Sequence, residues 1–321
     1  MTDSAPTLVT FGETMLRLGA PEGERLETAE HLDVRIGGAE SNVAVAAQRL
    51  GLDAVWCSRL PDSPLGRRVI NPLRGAGVTV EIDWDDEARQ GTYFIEQGGA
   101  PRGTAVIYDR ADAAVTTTTP DDLPMATIRD ADAFFTTGIT PALSDTLQET
   151  TRTVLEEAAG SGTMTAFDVN YRSKLWDPER AAGVLRELFP FLDVLTVAER
   201  DAAMVLGRDG SPEQVAADLR TAYDLEIAIV TAGEAGAVAA GPTGVQEEGA
   251  IPADTLDPIG TGDAFLGGLL AWYLQGADLS ESLSAGAATA SLKRTLKGDH
   301  ALLSRDEVER VMERGGREID R

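Results

Sequence analysis

The chain has 321 residues, 53 acidic against 28 basic, and a formal net charge of -25. That length suits one large α/β domain with an appendage, or two domains. So negative a surface repels nucleic-acid phosphate and anionic membranes, which argues against either as the main partner, and the single cysteine, Cys57, excludes an intrachain disulfide.

Hydrophobic residues make up 43% of the chain, enough for a packed core and too many for wholesale disorder. No basic-then-apolar segment opens the sequence, and no apolar run nears the roughly 20 residues of a membrane span. A soluble cytoplasmic protein is therefore expected. Lysine occurs only at Lys174, Lys293 and Lys297; the other basic residues are arginines. Such a pattern fits a halophile, in which salt screens the self-repulsion and carboxylates keep the surface hydrated; an acidic mesophile protein is the alternative.

In chain order, the first strand is expected over 8–11. The stretch 15–36 then breaks into turns and short alternating runs. A helix over 39–50, apolar nearly all round, stops before Gly51. A strand over 54–60 follows, and 80–115 is a second irregular stretch with alternating runs at 92–95 and 105–108. Further strands fall at 133–137, 163–169, 193–197 and 226–231. Between them lie an amphipathic helix over 145–159, ending before Gly160, and a helix opened by Ser211-Pro212-Glu213-Gln214 with a capping box. Ser304 and Glu307 repeat that box near the C-terminus. Strand and helix in alternation imply a mainly parallel sheet covered on both faces. The two irregular stretches read as antiparallel strands outside that sheet, able to pair into a small lid.

The segment Asp257-Pro258-Ile259-Gly260-Thr261-Gly262-Asp263, followed by a strongly apolar helix, carries the most chemistry. Glycines let backbone approach a ligand, and free N–H groups at a helix start attract an anion. A carboxylate beside an anion site suits phosphoryl transfer: the amides hold charge and the acid accepts a proton. Taken alone, Gly-x-Gly-Asp is equally a helix cap. Gly37-Gly38-Ala39-Glu40-Ser41-Asn42 is a second glycine pair at a helix start, and alone it is equally a turn before a buried helix.

Together these segments resemble the two signatures of the ribokinase-like (PfkB) carbohydrate kinases, and the likeness extends from Phe11-Gly12-Glu13 to the C-terminal helices. The resemblance implies a single ribokinase-like domain over 1–321. Its fold is a three-layer α/β/α with a mainly parallel central sheet and a small β-sheet lid from about 15–36 and 80–115. It implies Asp263 as catalytic base, with Gly260, Thr261 and Gly262 at the transferring phosphoryl, and Gly37, Gly38 and Asn42 beside the sugar. Gly37-Gly38-Ala39-Glu40, 137–144 and Asp168-Val169-Asn170-Tyr171-Arg172 with Leu175-Trp176 look most like 2-keto-3-deoxygluconate kinases; Gly298-Asp299-His300 is a weaker echo. Carried over residue by residue, Gly38, Tyr93, Tyr108, Arg110 and Arg172 fall on substrate-contact positions. An arginine fork matches the carboxylate of a sugar acid.

The same resemblance lays ATP along Thr231-Ala232-Gly233-Glu234-Ala235-Gly236, with Ala198 nearby. It brings magnesium on the ATP phosphates and leaves room for a monovalent cation such as potassium. The chain departs from the family in two places: Thr231, Ala232 and Ala235 stand where related kinases often carry basic residues, and Ala198 and Asp201 replace an Asn-x-x-Glu pattern, leaving Asp201 part of a metal role at most. The implied reaction is ATP-dependent phosphorylation of 2-keto-3-deoxygluconate, or its galacto epimer, to the 6-phosphate. A fructokinase or ribokinase, and an idle sugar- or nucleotide-binding protein on the same scaffold, are the alternatives. A homo-oligomer is expected, because an exposed lid strand is otherwise a liability.

Overall fold

The computed structural model describes residues 5–98 and 101–314. From the N-terminus, β1 (Thr7–Phe11) leads into β2 (Met15–Gly19) and β3 (Asp33–Gly37), then helix α1 (Ala39–Arg49). β4 (Asp53–Pro61), α2 (Pro64–Gly75), β5 (Thr79–Asp85), β6 (Thr92–Glu96) and β7 (Ala105–Asp109) follow. After the short α3 (Met125–Arg129) the chain alternates: β8 (Ala133–Thr137), α4 (Asp145–Ser161), β9 (Met164–Asp168), α5 (Pro178–Leu188), β10 (Val194–Ala198). Two helices, α6 (Glu199–Leu206) and α7 (Pro212–Ala222), precede β11 (Ile227–Thr231) and the hairpin β12 (Ala237–Gly241) and β13 (Gly244–Glu248). Helices α8 (Thr261–Leu274), α9 (Leu279–Arg294) and α10 (Arg305–Arg314) close the chain.

Nine strands form the main sheet in the order β13-β12-β11-β10-β9-β8-β1-β4-β5. All neighbours run parallel except the β11-β12-β13 edge. Successive strand residues enter opposite layers, as the two-residue repeat of a strand requires. Val9, Phe134, Phe167, Leu195 and Val230 pack with α4, α5, α6 and α7. Their neighbours Leu8, Phe135, Ala166, Val194 and Ile229 pack with α1, α8, α9 and α10. Both faces are thereby covered, as expected of a parallel sheet.

The lid is a separate four-stranded sheet in the order β3-β2-β6-β7. It is narrower than the sequence reading has it. Thr79–Asp85, the start of the second irregular stretch, is instead the edge strand of the main sheet, where Val80 and Ile82 pack on the core beneath α2. The lid is also mixed rather than antiparallel, because β2 and β6 come from distant segments and pair in parallel. Helix α4 runs two residues past the expected stop and ends at Gly162, whose φ of 84° is left-handed.

Candidate active site

The carboxyl ends of β1, β8, β9, β10 and β11 open on one side of the sheet, under the lid. A cavity of about 400 Å³ lies there, and its walls include Gly37, Gly38, Asn42, Tyr93, Tyr108, Arg110, Arg172, Ala198, Asp201, Thr231 and the run 258–263. A narrower slot of about 200 Å³ adjoins it past Thr261 and Gly262, walled by Gly233, Gly236, Ile251, Phe265, Ala287 and Arg294. Residues spread over most of the sequence thus meet in two adjoining cavities. Ligand sites in open α/β sheets lie in just such a place, outside the carboxyl ends of the strands.

Helix α8 aims its N-terminus into the junction of the two cavities. Gly260 caps it with a left-handed φ of 82°, and a Cβ there would lie 2.2 Å from the Asp299 carbonyl oxygen, so only glycine fits. The Thr261 N–H is spent on the Pro258 carbonyl, at 3.3 Å. The Gly262 and Asp263 N–H groups have no partner among the described residues. They are the donors an anion would meet, one position later than the Gly260–Gly262 amides expected from the sequence. A Cβ at Gly262 would touch nothing within 4 Å, so a ligand can come up to the backbone there.

Asp263 stands at the third position of that helix. Its Oδ2 accepts from Asn42 Nδ2 at 2.7 Å, fixing the carboxyl between α1 and α8. Desolvation raises its pKa to about 6, opposed by Asn42 and Arg172 and assisted by Asp299. Glu13, Glu40, Asp168, Asp201 and Asp299 also line the cavity, and burial acts strongly on two of them. Glu40, buried, accepts from the hydroxyls of Thr137 (2.7 Å) and Thr140 (2.9 Å), and burial pushes it to about 7. Asp168, at the end of β9, is also pushed to about 7, first by desolvation and then by Asp263. The chain then turns through Asn170 at a left-handed φ of 40°, and Arg172 follows on the cavity wall. Arg172 donates to the Tyr171 carbonyl at 3.1 Å and pairs with no carboxylate among the described residues.

Four expected site residues carry partners that the sequence reading did not include. Arg110 donates to Glu13 in a buried ion pair, so its charge is met inside the protein. Tyr93 is buried and gives its hydroxyl to Asp299 Oδ2 at 2.9 Å. Tyr108 stays partly exposed, with Arg110 5.5 Å and Lys174 5.7 Å from its ring centre. Asp201 is buried and accepts from Arg200 Nε at 3.0 Å. No group of three or more acidic, His or Cys side chains placed to hold a metal occurs among the described residues.

A profile of the pfkB family of carbohydrate kinases matches residues 5–305. The chain belongs to that family. A 2-dehydro-3-deoxygalactonokinase of Haloferax volcanii is 57% identical to this PfkB kinase, covering 98% of the chain and 99% of the relative. A 2-dehydro-3-deoxygluconokinase of Thermoproteus tenax is 32% identical over 95% and 94% of the two chains. Among solved structures, the crystal structure of a 2-dehydro-3-deoxygluconokinase from Thermotoga maritima superposes with a TM-score of 0.90 at 31% identity, covering 96% of this chain and 98% of that one. The fold is therefore ribokinase-like, as the sequence implied.

The PfkB kinase also brings to its cavity residues that sequence reading passed over: Glu13, Asp168, Thr196 and Asp299. Asp168 and Asp299 sit inside stretches already singled out, 168–172 and 298–300, but nothing local marks their side chains as facing Asp263. Gly236 backs the narrower slot: its φ is 104° and a Cβ would lie 2.0 Å from the Glu248 carbonyl oxygen of β13. The hairpin β12-β13, absent from the expected strands, builds that wall.

Proposed function

We propose that this PfkB kinase transfers the γ-phosphoryl group of ATP to the terminal hydroxyl of a 2-keto-3-deoxy sugar acid, the galactonate or its gluconate epimer. The observation that carries the reading is the pairing, at one helix start, of a carboxyl fixed by Asn42 with the unpartnered amides of Gly262 and Asp263. The likeness to the Haloferax 2-dehydro-3-deoxygalactonokinase favours the galactonate over the gluconate first read from sequence motifs.

The sugar lies under the lid, its terminal hydroxyl at Asp263. The carboxylate takes the hydroxyl proton as the oxygen attacks the γ-phosphorus; the bond to the β-phosphate oxygen breaks and ADP leaves. The amides at the start of α8 meet charge developing on the phosphoryl oxygens. Asp201, on the cavity wall, is the carboxylate that would face magnesium carried by ATP, which would offset charge on the phosphates. ATP occupies the slot between the 231–236 loop and α9. Arg172 receives the sugar carboxylate; Arg110, already paired with Glu13, braces the lid beside it. The exposed edge strand β7, with Ile107 at its surface, is where a second copy would pair in a homo-oligomer.

Coupled ADP release in molar KCl, with 2-keto-3-deoxygalactonate, its gluco epimer, fructose and ribose, tests the assignment. A keto-deoxy acid should be preferred, and Arg172→Met should raise its KM about 10- to 100-fold with a smaller loss of kcat. Preference for a neutral sugar would overturn the sugar-acid reading while leaving the base in place.

A further inference from the structure

Behind the cavity wall lies a group of charges that the chemistry above does not use. Arg17, on lid strand β2, is buried, with 4% of its surface exposed. Its guanidinium forks: Nη2 donates to Asp257 Oδ2 at 2.7 Å and Nη1 to Asp299 Oδ1 at 2.5 Å. Asp257 opens the turn into α8. Its Oδ1 accepts from the Ile259 N–H at 3.1 Å, and its carbonyl accepts from Lys293 Nζ at 2.9 Å. Lys293, on α9, has no exposed surface. Asp299 takes Tyr93 of lid strand β6 on its other oxygen, and its own backbone lies against Gly260.

Two buried cations thus balance two buried carboxylates, and every member joins the lid, the phosphate-facing turn or the helix behind it. Apolar packing already fastens the lid here: Met15, Tyr93 and Ile95 form a cluster against Ile259. A charged bridge stabilises such a joint little more than well-packed apolar residues would, but it fixes geometry.

We propose that Arg17 is a positioning residue that ties the 257–260 turn to the lid, while Lys293 holds the same turn to α9 from behind, so that the α8 amides and Asp263 are aligned for phosphoryl transfer only while the lid is seated. The inference rests on the phosphoryl-transfer reading of this cavity. When β2 moves, the Arg17 fork moves Asp257 and Asp299 with it, and Gly260 is held between them. Where the lid lifts, the fork pulls on the turn and the amides lose alignment, and transfer of the phosphoryl group to water is suppressed.

The test compares wild type, Arg17→Lys and Arg17→Met, each assayed well below its melting temperature with its best sugar from the panel above. Lysine keeps the charge but loses the fork, so kcat should fall about 10-fold; methionine loses both, and about 100-fold is expected. KM for both substrates should stay within about threefold, and ADP formed per phosphosugar should rise above one. Variants that melt lower yet keep kcat within about twofold and one ADP per phosphosugar would overturn the proposal and leave Arg17 a purely structural residue. Should Arg17→Met not fold, Arg17→Lys decides by the same criteria. A wild type that phosphorylates no sugar would overturn both readings; one that prefers a neutral sugar overturns the sugar-acid reading alone.

Discussion

At the scale of single residues, the site is a crowd of carboxyls kept from ionising freely. Asp263 must lose its proton to act as base, and desolvation raises its pKa from 3.8 to about 6. The rate should therefore fall as pH drops below about 6, roughly tenfold per unit at the low end. Asn42 is the strongest influence holding that pKa down. Asn42→Ala should move the acid limb of the kcat profile to higher pH, and an unmoved limb would detach Asn42 from the base. Glu40 gives a stability test. Its pKa rises on folding from 4.5 to about 7, so the folded state binds the proton more tightly. Its favourable share is complete below about pH 4.5 and is lost as pH rises through 7, a swing of about 3 kcal/mol. Thermal melts of Glu40→Gln should therefore gain on wild type between pH 5 and pH 8; a constant difference would remove Glu40 as the cause.

At the scale of elements, α8 is placed by close approach. A Cβ on Gly267 would lie 2.4 Å from Ala46 Cβ of α1, and one on Gly268 2.4 Å from Thr289 Oγ1 of α9. The two glycines let three helices meet at contact distance, which sets where the N-terminus of α8 points. Gly267→Ala should cost about 1–3 kcal/mol of stability by overpacking and, by separating Asn42 from Asp263, also lower kcat. Gly262→Ala is the contrasting case, because nothing stands within 4 Å of the new methyl. It should melt no lower than wild type yet lose activity, as the methyl enters space the phosphoryl group needs. Melting curves and kcat for the pair separate helix packing from access to the amides.

For the whole molecule, charge decides the working conditions. With a net charge of -25, unscreened repulsion opposes compaction. The Debye length falls from about 10 Å in 0.1 M salt to about 3 Å at 1 M. The melting temperature should therefore rise from 0.1 M to 2 M KCl, and activity should recover with it. A melting temperature that falls over that range would contradict adaptation to salt. Around the open side of the lid, Arg172, Lys174 and Arg200 gather in a chain short of cations. Such a cluster would draw an anionic ligand to that mouth although the rest of the surface repels it.

What the sequence determined by itself was whatever local pattern encodes. Strand and helix alternation fixed the layered sheet, since burial on one face or two leaves a repeat of two or a continuous apolar run. Gly-Thr-Gly-Asp before an apolar helix put a carboxyl beside free amides, because helix starts expose amides whatever surrounds them. The tertiary structure decided partnership. Arg110 meets Glu13 across 97 residues, Tyr93 meets Asp299 across 206, and Arg17 meets Asp299 across 282. Periodicity says that a side chain is turned inward, not which distant group waits there. Thr79–Asp85 shows the same limit: its alternation suits a lid strand or a sheet edge equally, and only the hydrogen bonds to β4 chose.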